Sequence, residues 1–170
     1  MVSSTSKSVA VIQSCYVPWK GYFDIIGRVD LFIFHDDLQY TKDDWRNRNR
    51  IKTARGLEWL TIPCGRDEKR RIDEVRVDTL PWQREHWARI ERAYRSAQHW
   101  DAMHPLLAPF WIERTWTHLS ELNHAIITAL SRQVFGFPTR FAPGVEDAVL
   151  KKVHELVKKT GGTVPRPVKK

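Results

Sequence analysis

The sequence predicts an α/β fold: a Rossmann-like βαβ start with a small, mostly parallel sheet flanked by C-terminal helices. Three observations predict it. Two short apolar runs, Val9–Ile12 and Leu31–Phe34, flank a stretch whose apolar residues recur at helical spacing. Two further strand-like runs follow around a Gly-containing turn, and the chain beyond Pro81 then reads as helix.

Val9–Ile12 is short and β-rich. Pro18 suits a turn or a first helical position, and Tyr22, Phe23, Ile25, Ile26 and Val29 give the next segment one apolar side, with Gly21 and Gly27 near its ends. Leu31–Phe34 is apolar throughout, the pattern of a central strand buried on both faces. Strand, helix and strand form a βαβ unit of about 26 residues, compact against the usual ~30. Ile51–Thr53 and Leu57–Pro63 read as strands around Ala54-Arg55-Gly56. Ile72–Val77 alternates polar and apolar residues weakly, as an edge strand would.

Pro81 opens a helix to about Gln98, with Trp82, Trp87, Ile90, Ala93 and Tyr94 at helical spacing. His104–Trp111 is short and Pro-punctuated. Thr115–Phe135 is a long helix with Leu119, Leu122, Ile126, Ile127 and Leu130 on its core face, ended by Gly136 and Pro138. A last amphipathic helix, 145–160, stops at Gly161-Gly162. The expected organisation is a disordered start over 1–8, one domain over 9–162 and a basic disordered tail over 163–170.

No apolar run reaches the roughly 18 residues a membrane span needs, and four apolar residues at Val9–Ile12 are too few for a signal-peptide core. A cytoplasmic location is expected, with Cys15 and Cys64 as reduced thiols. The formal net charge of +8 favours an anionic partner, although Lys151, Lys152, Lys158, Lys159, Arg166, Lys169 and Lys170 place much of it at the C-terminus.

Chemistry-bearing residues concentrate between Gln13 and Cys64. Both apolar strands run into polar clusters, Gln13-Ser14-Cys15-Tyr16 and His35-Asp36-Asp37-Leu38-Gln39-Tyr40. Ligands of parallel α/β proteins bind at the carboxyl ends of strands, so the clusters point to one site. His35-Asp36-Asp37 offers a general base with an orienting carboxylate, or a cation site, or simple caps for the next turn. Adjacent carboxylates in extended chain face opposite sides, so one of the pair faces any given ligand. No metal is expected.

In Trp45-Arg46-Asn47-Arg48-Asn49-Arg50, extended chain would put the three arginines on one side and Trp45, Asn47 and Asn49 on the other. Guanidinium forks suit phosphate or carboxylate; pairing with Asp36, Asp37, Asp43 or Asp44 is the structural alternative. Trp19 and Lys20 lie at a turn opening a helix, where free amides suit an anion, but neither GxGxxG nor GxxxxGK is present. Cys15 reads as a small buried thiol before a nucleophile. His86 shares a helix face with Trp82 and is a second candidate base. His99, His104, His118, His124 and His154 show no partners in the sequence.

Gln13, Tyr16, Pro18-Trp19-Lys20-Gly21-Tyr22-Phe23, Asp30, Asp36-Asp37, Gln39-Tyr40, Asp44 through Thr53 and Trp59-Leu60-Thr61-Ile62-Pro63 together resemble the signature of the WbqC-like family, found with bacterial O-antigen and other sugar-assembly genes. The match is specific over 9–64 and looser to about 140, where Trp82 through Tyr94 resembles the family's next helix. Cys15 departs from the polar residue common there. Members usually run on through another strand and a Ser-Gly turn, so a shortened C-terminus is expected.

The resemblance implies an enzyme of polysaccharide biosynthesis that transfers an acyl or aminoacyl group. The expected acceptor is an amine, as on a nucleotide-linked amino sugar. The donor is a coenzyme A or phosphopantetheine-carrier thioester acting as substrate, with no other cofactor and an acidic carrier protein as partner. His35 or His86 is the expected base beside Asp36 and Asp37. Gln13, Tyr16, Trp19, Lys20, Gln39, Tyr40, Trp45, Arg46, Asn47, Arg48, Asn49 and Arg50 are the expected substrate contacts. A nucleic-acid-binding module is the alternative, disfavoured by the carboxylates and by the absence of a recognised motif, and a non-catalytic family member is another.

Overall fold

A computed structural model of the protein describes residues 7–77 and 81–144. The α/β expectation holds. Strands β1 (Val9–Ile12), β2 (Leu31–Phe34) and β5 (Arg140–Ala142) form a parallel sheet in the order β1-β2-β5. β2 lies centrally, which is why all four of its residues are apolar, and Phe32, Ile33 and Phe34 are buried. Helix α1 (Lys20–Gly27) makes the crossover and buries Tyr22, Phe23 and Ile26. Ser8 fastens the start of the sheet, its amide and hydroxyl both donating to Asp30 Oδ2 at 2.7 and 2.9 Å. β5 was not expected: three residues behind Gly136-Phe137-Pro138 carry no periodic signal, and the strand forms on the edge that β2 offers.

β3 (Arg48–Thr53) and β4 (Gly56–Thr61) form an antiparallel hairpin outside the main sheet. Gly56 closes its turn at φ 113°, a conformation that glycine adopts freely. Contrary to the extended reading of residues 45–50, Trp45-Arg46-Asn47 is a turn and the strand begins at Arg48. Asp44 is the reason: its carboxylate accepts from the Trp45 amide at 2.7 Å and its carbonyl from the Asn47 amide at 3.2 Å.

The edge strand expected over Ile72–Val77 is instead a 3₁₀ turn, Ile72–Glu74. Glu74 reaches back to the Arg71 amide at 2.8 Å, a local bond that competes with a strand ladder. Ile72, Val75 and Val77 are still buried. The helical half holds α2 (Trp82–Tyr94), α3 (Trp100–Leu107), α4 (Pro109–Ile112) and α5 (Leu119–Ala129), the last running into a π turn over Leu130–Val134. α5 begins later than the expected Thr115 because Glu121 caps the His118 amide at 3.1 Å. The expected 145–160 helix, the basic tail and residues 1–6 lie outside the described residues.

A directed hydrogen-bond chain crosses the core. Trp111 Nε1, a donor only, donates to the Tyr16 hydroxyl at 2.9 Å, and Tyr16 pairs at 3.0 Å with His86 Nδ1. Trp111 occupies the hydroxyl oxygen as a donor, which leaves the Tyr16 O–H to donate to Nδ1 of the neutral imidazole. Burial pushes the His86 pKa down to about 4, keeping it neutral, and pushes the Tyr16 phenol above its usual range.

An unfolded His86 titrates near its ordinary 6.5 while the folded one does not until about 4. Below 6.5 the unfolded state therefore takes up a proton that the native state refuses. Stability from this residue is complete above pH 6.5, falls as the pH drops towards 4, and levels below that, a change on the order of 3 kcal/mol. Urea denaturation at a series of pH values should show this acid limb, and His86→Gln should flatten it between pH 6.5 and 4.

Candidate functional site

The carboxyl ends of β1 and β2 meet α5 at Asp36. This carboxylate is 1% exposed. Oδ1 accepts from the Ser14 amide at 2.8 Å and Oδ2 lies 2.7 Å from His124 Nε2. Its backbone carbonyl accepts from the Asp73 amide at 2.9 Å. One buried acid thus joins the end of β1, the end of β2, the 3₁₀ turn and α5.

With the carboxylate accepting, His124 carries its proton on Nε2 and its lone pair on Nδ1. Phe34, the last residue of β2, stacks on the imidazole with centroids 3.9 Å apart and planes 13° apart. The His124 side chain keeps 19% exposure against 1% for its partner. This is the arrangement of a base with a lone pair to use, oriented by an acid that solvent does not reach.

Asn123 extends the cluster. Its amide donates to Ser14 Oγ at 3.3 Å and to the Arg46 carbonyl at 3.0 Å. The Arg46 guanidinium turns inward, bonding to Gln13 Oε1 and lying 3.2 Å from Cys15 Sγ, with Asp44 at 3.7 Å. Its Nε is buried and without an acceptor. Burial outweighs Arg46 at Cys15 and pushes the thiol pKa up, which opposes a thiolate nucleophile. A shallow groove of about 440 Å³ runs from His124 between α4 and the α5–π-turn segment. Among the described residues no three of His, Cys, Asp and Glu come together as metal ligands, and no helix is long and apolar enough to cross a membrane.

A family model described as the WbqC-like protein family matches residues 13–163. The chain belongs to the WbqC-like family. It is also 46% identical over 139 residues to a protein named Uncharacterized protein Rv1507c from Mycobacterium tuberculosis (strain ATCC 25618 / H37Rv). That match covers 80% of this chain and 59% of the relative, so the chain spans about three-fifths of the relative's length. No solved structure matches it.

The site residues expected from the sequence divide into three groups in the structure. Gln13, Asp36 and Arg46 share the cluster at the strand ends. His35 and Asp37 lie beside it in sequence, their side chains 3.4 Å apart and both partly exposed. A second group is structural. Tyr16 and His86 belong to the core chain, and His86, 4% exposed, does not reach the strand ends. Asn47 is buried and donates to the Ile62 carbonyl at 3.0 Å. Asn49 donates to the carbonyls of Tyr16 and Val17, fixing a turn in which Val17 holds φ 45°. Gln39 ties down the Glu68 carbonyl at 3.0 Å, and Tyr40 is buried under the Arg70 guanidinium. The amides of Asn47 and Asn49, the Gln39 side chain and the Tyr16 hydroxyl are therefore committed to the protein itself.

The third group faces water. Arg48 lies 4.4 Å and Arg50 5.0 Å from the Trp59 ring, with Trp45 5.6 Å from Trp59, while Trp19 and Lys20 are exposed at the start of α1. The Trp19 ring folds over Gly21, where a Cβ would lie 1.9 Å from it.

Sequence reasoning passed over His124. Its acid is 88 residues away, so no local motif marks it. The available signal was the polar pair Asn123-His124 interrupting an α5 face of Leu119, Leu122, Ile126 and Ile127.

Asp36→Ala should destabilise the protein by about 3 kcal/mol, because it strands the Ser14 amide and breaks the pair with His124; thermal or urea melts measure it. Asn49→Ala should cost about 2 kcal/mol, since it orphans two carbonyls around a strained Val17. A loss under half a kilocalorie in either melt would show the turn or the pair to be dispensable.

Proposed function

We propose that this chain is a transferase that forms an amide on an amine acceptor, taking an acyl or aminoacyl group from a coenzyme A or carrier-protein thioester. The His124–Asp36 pair at the strand ends is the observation that supports it. A thioester is already activated, so the protein needs to remove a proton from the amine and stabilise the developing oxyanion. The amine nitrogen attacks the thioester carbonyl carbon while His124 Nδ1 takes an N–H proton. The tetrahedral adduct collapses to the amide by breaking its C–S bond. The leaving thiolate takes the proton back from His124 and departs as thiol.

Asp36 orients the imidazole and stabilises the imidazolium, so the base assigned from sequence to His35 or His86 passes to His124. An amino sugar carried as its nucleotide diphosphate is the acceptor class that family membership suggests. The exposed Trp45–Trp59 face with Arg48 and Arg50 is the one feature favouring a second reading, stacking of single-stranded nucleic acid.

Amide product measured by mass spectrometry, with acyl thioesters and amino-sugar nucleotides, tests the first reading. His124→Gln should lower kcat by about 10²–10⁴-fold with its melting midpoint retained, and added imidazole should restore part of the turnover of His124→Ala. Full turnover in both variants would remove His124 as the base. Oligonucleotide binding with a steep salt dependence that Trp45→Ala abolishes, and no amide product, would install the second reading.

A further inference from the structure

We infer that the groove beside His124 is an anion subsite for the phosphate end of a phosphate- or diphosphate-bearing substrate. It rests on the reading of His124 as the base, whose reaction would occur at the groove's other end.

One wall is a single helical stripe. His124, Thr128 and Arg132 recur every four residues along α5 and into the π turn, and Ala125 and Ala129 between them leave the floor low. Phe110 and Arg114 of the α4 segment form the other wall, the Arg114 guanidinium lying 5.5 Å from the Phe110 ring. π turns inside helices often mark functional positions, and here one carries Arg132 and Gln133.

The charges of this groove are unspent. Among the described residues neither Arg114 nor Arg132 pairs with a carboxylate. Other arginines do: Arg28 with Asp24 at 2.9 Å, Arg71 with Asp73 at 3.1 Å and Arg89 with Glu58 at 3.2 Å. Two uncompensated guanidinium groups on one concavity favour an anion, and their forks suit phosphate oxygens. Spacing sets the ligand's reach. Arg132 is eight residues beyond His124, a rise of about 12 Å. An anion at Arg132 therefore belongs to an extended molecule whose reacting group lies roughly two helical turns away. A free phosphate bridging both ends does not fit. A phosphopantetheine arm and a sugar diphosphate share this chemistry, an anionic end and a distant reacting atom.

Titrating the full chain with inorganic pyrophosphate, followed by calorimetry, tests the subsite without requiring turnover. Arg114→Gln and Arg132→Gln should each weaken binding about tenfold or more, and the double variant should abolish it. Arg28→Gln, at the far end of α1, should leave it unchanged. All three side chains are exposed, so melting midpoints should hold. Equal binding in wild type and the groove variants, or an equal loss in Arg28→Gln, would overturn the subsite.

Displacement of pyrophosphate by a nucleoside diphosphate or by 4′-phosphopantetheine would support it and identify which substrate's phosphate lies there. Displacement by neither would overturn its role with a substrate. Pyrophosphate binding that survives alongside an absent transfer activity would leave the subsite standing and fail the transferase reading alone.

Discussion

A carboxyl group excluded from water is tolerated only if its oxygens are paired, and Asp36 is that group in this fold. Its two oxygens and its carbonyl are satisfied by Ser14, His124 and Asp73, which belong to three segments far apart in sequence. The cost of leaving any of these bonds unmade fixes where β1 ends, how α5 lies across the sheet and where the 3₁₀ turn begins. The same bonds orient the imidazole. Structural constraint and candidate chemistry are one arrangement, and the partner of the pair that keeps some surface is the histidine.

A second polar system has the opposite character. The Trp111–Tyr16–His86 chain is enclosed, its direction of donation is set by Trp111, which can only give, and burial keeps the histidine neutral. It leaves no open lone pair and no exposed edge. Two histidines in one small domain thus differ in what surrounds them: His86 is consumed by packing, and His124 retains a nitrogen and a share of surface. That contrast, more than the identity of the side chain, separates a core residue from a candidate base.

The βαβ opening was legible because its signals are local: apolar runs of strand length, a helical apolar face between them, and polar residues at both strand ends. The hairpin was legible from Gly56 and its flanking runs. The misses share a cause. Trp45-Arg46-Asn47 and Ile72–Glu74 had strand-like patterns overridden by Asp44 and Glu74 bonding to nearby amides. β5 exists because β2 presents an edge, a fact written elsewhere in the chain. At the site, Asp36 could be singled out as one of two carboxylates after a buried strand. His124 could not, since its meaning lies in a partner across 88 residues.

A formal charge of +8 says little until the cations are sorted by what they touch. Arg46 is spent on Gln13 and the Cys15 thiol, and Arg48 on the Trp59 ring with Asp43 at 3.9 Å. Arg114 and Arg132 are left with the groove. The spacing of Arg132 from His124 matters physically. Cations beside a base would oppose the positive charge it gains on taking a proton. At about 12 Å along the helix the field of Arg132 at the imidazole is largely screened, since the Debye length is about 8 Å at physiological ionic strength. The same arginines still act at contact range on an anion lying against them. In the proposed reading, separating the charge that would hold a substrate from the nitrogen that would move its proton lets both work at one pH.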